Sequence, residues 1–175
     1  MPDLFLPNWK IFLILLRTAI FTGIVPYIVG LWLPTQLHRA FHQSFFRVQP
    51  ELWQEILSGA LLIAGAAIYL WCAWDFSVKG HGTPAPIDAP INLVVNGLYR
   101  FVRNPMYVAV FLLIASRAIL FWSFPIVLYL VFVRTCVQLF IVLYEEPHLR
   151  KIFGEQYLHY CRRVPRWIPR LRFAQ

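Results

Sequence analysis

Four apolar segments follow one another along the chain, with more polar stretches between them. They cover residues 11–33, 56–76, 105–121 and 124–144. Each has roughly 17 to 23 residues, close to the ~20 that an α-helix needs to cross a bilayer. The pattern predicts an all-α integral membrane protein with four transmembrane helices, and a loop over 34–55 between the first two.

Composition supports a membrane protein. Of the residues, 59% are hydrophobic and 14% are charged, whereas a soluble domain carries about 25% charge. This excludes a disordered chain and argues against an ordinary soluble domain. A net charge of +8 could indicate nucleic-acid binding. Here the basic residues flank the apolar segments, as the positive-inside rule describes. We therefore expect a membrane and no nucleic acid as partner.

The third and fourth segments are joined by a very short turn. Only Trp122 and Ser123 separate them, and Pro125 follows. This predicts a helical hairpin whose outer ends face the same side, so the loop 77–104 and the tail 145–175 share that side. Most basic residues lie there. By the positive-inside rule this face is cytoplasmic, which also gives cytoplasmic N- and C-termini.

The tail predicts one further helix. Pro147 suits the first turn of a helix, and apolar residues recur after it at helical spacing. These are Leu149, Ile152, Phe153, Tyr157 and Tyr160. Basic residues occupy the other face, a pattern typical of a helix that lies along a membrane surface. We expect a C-terminal cytoplasmic amphipathic helix.

Some polar side chains stand inside apolar segments, where they are costly and commonly functional. Arg134, Gln138, Ile141 and Glu145 recur at a spacing that puts them on one face of the fourth helix. This stripe predicts a polar cavity between helices, with Arg134 roughly 15 Å from the cytoplasmic end. Arg117 lies close to the hairpin turn, where it can reach the far interface instead.

The sequence offers no complete set of metal ligands and no nucleotide-binding motif. His38 and His42 stand one helical turn apart, but no third ligand is near. The chain has three cysteines, Cys72, Cys136 and Cys161, and they form no CxxC motif. An odd number without such a motif predicts no disulfide framework. The chain also has no GxGxxG and no Walker A motif. We expect no metal site.

The adjacent acidic residues Glu145 and Glu146 are the sharpest sign of a site. They stand where the fourth apolar segment meets the basic tail. They could balance the charges of nearby basic residues. Alternatively, they could face a cationic ligand, with Tyr99 and Tyr107 packing against a nucleobase or a sulfonium.

Two segments carry a resemblance to a known family. Residues 97–110 read GLYRFVRNPMYVAV, and residues 145–169 contain the acidic pair, FGEQYLHY and a Val-Pro. Together they resemble the isoprenylcysteine carboxyl methyltransferase family, whose wider group includes membrane phospholipid methyltransferases. The resemblance covers about residues 79–170, with the predicted hairpin between the two segments.

The resemblance implies S-adenosylmethionine as methyl donor, in a pocket that faces the cytoplasm and has no Rossmann fold. It implies one domain over 1–175, in which 1–78 forms two membrane helices and 79–170 the cofactor-binding core. The residues expected to bind the cofactor are Asn92, Leu93, Val94, Tyr99, Asn104, Pro105, Met106, Tyr107 and Glu145. Arg103, Arg134 and Glu146 are the expected catalytic residues, and a lipid-like or small molecule the expected acceptor.

Two positions depart from the family pattern. Asn104 stands where the family often has histidine, and Ile141 stands where the prenylcysteine enzymes have an arginine for their substrate. Two other functions therefore stay open. One is a membrane reductase that uses a nicotinamide cofactor. The other is a non-catalytic membrane scaffold or transporter subunit.

Overall fold

The computed structural model describes residue 20 and residues 23–41, 49–79 and 93–169. All regular structure in these ranges is helical. A π-helical turn, Pro26–Trp32, runs directly into α1. The α-helices within the described ranges are α1 (Leu33–Phe41), α2 (Leu52–Lys79), α3 (Pro105–Leu120), α4 (Phe124–Phe140) and α5 (Glu146–Arg163). A 3₁₀ turn, Gly97–Arg100, precedes α3, and a π-helical turn, Ile141–Glu145, joins α4 to α5.

Helices α2, α3 and α4 match the last three apolar segments, and α2 extends beyond its segment at both ends. The segment 11–33 lies largely outside the described residues. The predicted loop over 34–55 is wrong in its first part, because α1 continues to Phe41. Proline at position 34 led to that error, since proline commonly ends a helix.

Each π-helical turn stands immediately before a proline. The N–H of Leu33 donates to the carbonyl of Ile28, five residues back, just before Pro34. The N–H of Glu146 donates to the carbonyl of Ile141 in the same way, just before Pro147. Proline has no N–H, and its ring clashes with the carbonyl four residues earlier. The wider turn accommodates the ring without ending the helix.

The core lies where α2, α3 and α4 meet, around the buried side chains of Tyr69, Ile114 and Ile126. Gly65 of α2 allows a close approach to α3. A β-carbon built at this glycine would lie 3.0 Å from the carbonyl oxygen of Ala109. Small residues permit such close packing between helix backbones.

The predicted hairpin between α3 and α4 is present. Trp122 adopts a φ of 43° in the turn, a conformation that costs a bulky residue some strain. The N–H of Ser123 donates to the carbonyl of Ala118 at 3.1 Å and closes the turn. The side chain of Trp122 contacts Trp53 edge-on, with ring centroids 5.6 Å apart, which brings the start of α2 beside the hairpin.

Two helical stretches, Leu52–Asp75 and Phe124–Arg163, are long and apolar enough to cross a membrane. Helix α3 is apolar but shorter. The second stretch contains 40 residues, or about 60 Å of helix, twice the apolar thickness of a bilayer. Its apolar part is α4, whereas α5 is polar on average. Many large apolar side chains on α2 and α4 point outward, as lipid contact requires.

Helix α5 departs from the predicted amphipathic helix. Gly154 has φ 52° and ψ −130° and interrupts the helix, so the expected apolar face is not continuous. Tyr157 is buried, but Ile152 is 47% exposed. The bend has a local cause, because only glycine adopts this backbone conformation readily. Beyond it, the second half of α5 packs against the 3₁₀ turn, where the hydroxyl of Tyr160 donates to the carbonyl of Tyr99 at 2.6 Å.

Candidate active site

The two segments that carried the resemblance meet at the start of α3 and the junction of α4 with α5. The hydroxyl of Tyr107 donates a hydrogen bond of 2.8 Å to Oε2 of Glu145. One helical turn earlier, Arg103 Nη1 donates to Oε1 of Glu146 at 3.0 Å. Thirty-eight residues separate Tyr107 from Glu145 in sequence. The fold brings both pairs together because the hairpin returns the chain to its starting level.

The two neighbouring glutamates have different surroundings. Glu146 is buried and forms ion pairs with three arginines: Arg103 at 3.0 Å, Arg166 at 2.7 Å and Arg150 at 3.6 Å. Glu145 is half-buried and has no cationic partner among the described residues. A carboxylate that is largely withdrawn from water without a counter-charge attracts a positive ligand strongly. Of the two explanations for the acidic pair, charge balance therefore suits Glu146, and a cationic ligand suits Glu145.

Arg166 makes the strongest contacts of Glu146. Its Nε and Nη2 donate to the two carboxylate oxygens at 2.7 and 2.8 Å, a bidentate pair. The hydrogen bonds that Arg166 donates to Glu146 raise the pKa of Arg166, although partial burial opposes this. The backbone N–H of Arg103 also donates to the carbonyl of Pro165 at 2.8 Å. These contacts hold the segment that follows α5 against the start of α3.

Tyr99 lies on the wall of the same region. Its side chain is 7% exposed and packs with Cys72 of α2 and Val94. Burial raises the pKa of Tyr99 well above its ordinary value, and the neighbouring thiol of Cys72 adds to this. The phenol therefore stays protonated at neutral pH.

Among the other residues predicted to bind the cofactor, Val94 and Met106 pack with Tyr99, and Asn104 and Pro105 stand at the start of α3. Val94, Asn104 and Pro105 are buried, and Leu93 and Met106 are half-buried. Asn92 lies outside the described residues. Asn104 is the N-cap residue of α3, but its side chain makes no capping hydrogen bond. Its amide nitrogen instead donates to the carbonyl oxygen of Arg166 at 3.4 Å.

The stripe on α4 leads away from the acidic pair toward Arg134. Ile141 is buried, and Gln138 Oε1 accepts a hydrogen bond of 2.9 Å from Nε1 of Trp167. The guanidinium carbon of Arg134 lies 5.7 Å from the centroid of the same indole. Arg134 itself is exposed, so this end of the stripe lies at the protein surface.

Trp167 and Arg166 did not emerge from the sequence pattern. Both follow the Val-Pro near the end of the resembling segment, and nothing in the pattern shows that the chain turns back toward α3 and α4 there. The sequence still holds one sign of them. An arginine and a tryptophan stand between two prolines, 20 residues after an acidic pair that needs a counter-charge.

Two other polar residues lie apart from this site. Arg117 is in the last turn of α3, near the hairpin turn. His38 stacks on Phe121 with centroids 4.4 Å apart, and His42 lies outside the described residues. Over the described ranges, no three His, Cys, Asp or Glu side chains come together as metal ligands would.

A family comparison now gives the site its context. The model of the family described as phospholipid methyltransferase matches residues 53–156, more than half of the chain. The chain belongs to the phospholipid methyltransferase family. The resemblance seen in the sequence is thereby confirmed at the level of the wider group, which is a group of methyltransferases.

A curated relative of this family member is methanethiol S-methyltransferase from Crocosphaera subtropica, 39% identical over 84 residues. The alignment covers 46% of the present chain and 30% of the relative, so the chain corresponds to less than a third of that protein. No solved structure matches.

The family match and the sequence resemblance cover overlapping parts of this phospholipid methyltransferase family member. The match starts at residue 53, within α2, whereas the resemblance started near residue 79. It includes both glutamates and Tyr107. It ends before Tyr160 and Arg166, so these contacts from the C-terminal segment are features of this chain beyond the matched region.

Proposed function

We propose that this family member is an S-adenosylmethionine-dependent methyltransferase that acts on a lipophilic or small-molecule acceptor at the cytoplasmic membrane face. The observation that carries the proposal is Glu145, a half-buried carboxylate oriented by the Tyr107 hydroxyl and unpaired with any cation of the described residues. Family membership makes a methyl donor the ligand to test first.

The residues present fit S-adenosylmethionine. That molecule carries a sulfonium and an ammonium, and Glu145 supplies an unneutralised negative charge. Tyr99 and Met106 offer aromatic and thioether surface for the nucleobase and the methionine chain. When bound, the group would supply an electrophilic methyl on a neutral leaving group, so little acid catalysis is needed. We assign Leu93, Val94, Asn104, Pro105 and, beyond the described part, Asn92 to the same pocket.

The chain's own residues then have the tasks of orientation and exclusion of water. Tyr107 holds Glu145 in one rotamer. Arg103 and Glu146 fasten the segment after α5 over the start of α3, which keeps solvent from the site and preserves its geometry. Arg134, at the outer end of the stripe, is suited to an acceptor's polar group. We therefore give Arg103 and Glu146 a positioning task and Arg134 contact with the acceptor.

A bilayer position agrees with the aromatic residues of α2. Trp53 and Trp74 are exposed near its two ends and lie about 31 Å apart along the axis at 1.5 Å per residue. Tryptophan concentrates at both membrane interfaces, which are ~30 Å apart. Basic residues cluster at the end that bears the acidic pair, including Arg100, Arg150 and Lys151. We propose four transmembrane helices with cytoplasmic termini on this basis.

The experiment that tests the proposal is calorimetric titration of the full chain in detergent with S-adenosylmethionine and with its demethylated product. We expect saturable binding of both, and for Glu145→Gln an affinity for the methylated form lower by about tenfold or more, since a hydrogen bond to a charged group contributes about 1.5–3 kcal/mol. Glu155→Gln is the matched control, because Glu155 is an exposed glutamate of α5.

Absence of binding by the folded wild-type protein would overturn the proposal. Nicotinamide cofactors would then be titrated, since a membrane reductase was the alternative of another enzyme class. If binding is found, labelled methyl transfer is measured first with methanethiol, the acceptor in the relative's name, and with phospholipid vesicles, the substrate class in the family's name.

A further inference from the structure

The segment after α5 brings Trp167 to a position between α3 and α4. The indole ring centroid lies 5.7 Å from that of Phe111 on α3. Its Nε1 donates to Oε1 of Gln138 on α4 at 2.9 Å. On the outer side, the guanidinium carbon of Arg134 lies 5.7 Å from the ring centroid. One side chain therefore touches both arms of the hairpin.

Trp167 lies on the membrane side of the Tyr107–Glu145 pair. Phe111 is one helical turn along α3 from Tyr107, and Gln138 is roughly 10 Å along α4 from Glu145 at 1.5 Å per residue. A molecule that approaches this pair from the apolar side between α3 and α4 meets the indole, because Trp167 contacts both helices there.

The ring is held in this position from both sides. Arg166, the preceding residue, forms the bidentate pair with Glu146. Pro165, one residue earlier, accepts the hydrogen bond from the backbone N–H of Arg103. The indole N–H is occupied by Gln138. A bulky side chain anchored in this way acts as a fixed wall, since its displacement would break several charge-assisted contacts.

We propose that Trp167 is a specificity-determining residue whose bulk limits the size of the acceptors that reach the methyl-transfer site from the bilayer. The inference rests on the proposed function and deepens it. The acceptor class it selects is a molecule with a very short apolar chain, and it disfavours acceptors with long or bulky apolar groups.

A purely structural task for Trp167 makes a different prediction. Gln138 lies in an apolar helix, and an unsatisfied amide there is costly. If Trp167 only satisfies Gln138, the hydrogen bond matters and the bulk does not. Trp167→Phe removes the hydrogen bond and keeps most of the bulk, whereas Trp167→Ala removes both. The two variants therefore separate the two tasks.

The first measurement is the chain-length profile of methyl transfer from S-adenosylmethionine to n-alkanethiols from methanethiol to octanethiol. We expect Trp167→Ala to raise the octanethiol-to-methanethiol ratio of kcat/KM by about tenfold or more, as pocket discrimination of this kind allows. Trp167→Phe keeps the wild-type profile. Trp74→Ala is the control, because Trp74 is an exposed tryptophan of α2. Equal profiles for wild type and Trp167→Ala would overturn the inference.

A second measurement does not depend on activity. Phe111→Cys places a thiol beneath the indole, and its rate of modification by N-ethylmaleimide is followed by peptide mass spectrometry in detergent. We expect the rate to rise severalfold when Trp167→Ala is added and to stay unchanged with Trp167→Phe or Trp74→Ala. If the modification rate were unchanged with Trp167→Ala, the proposed role of Trp167 would be refuted, even if no alkanethiol were methylated. If the wild-type protein did not bind S-adenosylmethionine, that result would count against the proposed function alone, because the modification rate does not depend on it.

Discussion

At the scale of single residues, the hydroxyl of Tyr107 is the feature that distinguishes Glu145 from an ordinary interfacial carboxylate. It donates at 2.8 Å and fixes one carboxylate oxygen. Tyr107→Phe should weaken S-adenosylmethionine binding by about threefold to tenfold, the effect of losing a hydrogen bond of 0.5–1.5 kcal/mol. Titration calorimetry measures it.

Tyr129→Phe is the matched control for that variant. The hydroxyl of Tyr129 donates to the carbonyl of Val29 at 3.1 Å, at the π-helical turn before α1. Its removal should lower thermal stability slightly and leave the affinity unchanged. Equal affinity for Tyr107→Phe and the wild type would show that Glu145 needs no partner to bind its ligand.

The sequence predicted which residues meet at this point better than it predicted what surrounds them. Arg103 and Tyr107 stood in one motif and the glutamates in another, and a hairpin between motifs brings their ends together. The different surroundings of Glu145 and Glu146 were not predictable. They depend on Arg166, which lies beyond a bend at Gly154 that no hydrophobic period reveals.

At the scale of elements, the close contact of α2 with α3 depends on Gly65. A β-carbon there would lie 3.0 Å from both the carbonyl oxygen of Ala109 and a methyl carbon of Leu113. Gly65→Ala should therefore destabilise the protein by about 1–3 kcal/mol, as overpacking commonly does. Thermal unfolding in detergent measures the change.

Gly59, on the same helix, is the control. A β-carbon built there meets nothing within 4 Å, so Gly59→Ala should be neutral or stabilise by up to about 1 kcal/mol through helix propensity. Equal destabilisation by both variants would point to helix flexibility in place of packing. Both glycines lie in the second apolar segment, and the sequence could not tell which of them faces a neighbour.

Helix boundaries could be predicted where a proline follows a turn. A proline inside a continuous helix was misleading, because it suggested an end where the helix continues. Pro105 begins α3 as expected. Pro147 lies in the first turn of α5 as expected, although a π-helical turn joins this helix to α4. Pro34 instead stands inside a continuous helix, directly after a π-helical turn. Whether a helix widens or ends at a proline depends on the packing around it, and this information is tertiary.

At the scale of the whole molecule, Glu146 joins three parts of the chain: the entry to α3, the start of α5 and the segment after α5. Its side chain is 6% exposed, and its partners Arg103 and Arg166 are 12% and 36% exposed. Glu146→Gln keeps the shape but leaves the two closest guanidinium groups, those of Arg103 and Arg166, without this counter-charge. We expect a loss of about 2–4 kcal/mol, somewhat below the usual cost of breaking a buried pair because Arg166 keeps contact with water. Thermal unfolding in detergent measures it.

Coupling between the partners provides the decisive control. If Glu146 and Arg166 act as one tie, the double variant Glu146→Gln with Arg166→Ala should cost clearly less than the sum of the two single variants. Glu155→Gln should leave the melting temperature unchanged. Additive losses would mean that the segment after α5 is held by other contacts. Trp167 would then owe its position between α3 and α4 to Gln138 and Phe111 alone, and Glu146→Gln should leave the acceptor chain-length profile unchanged.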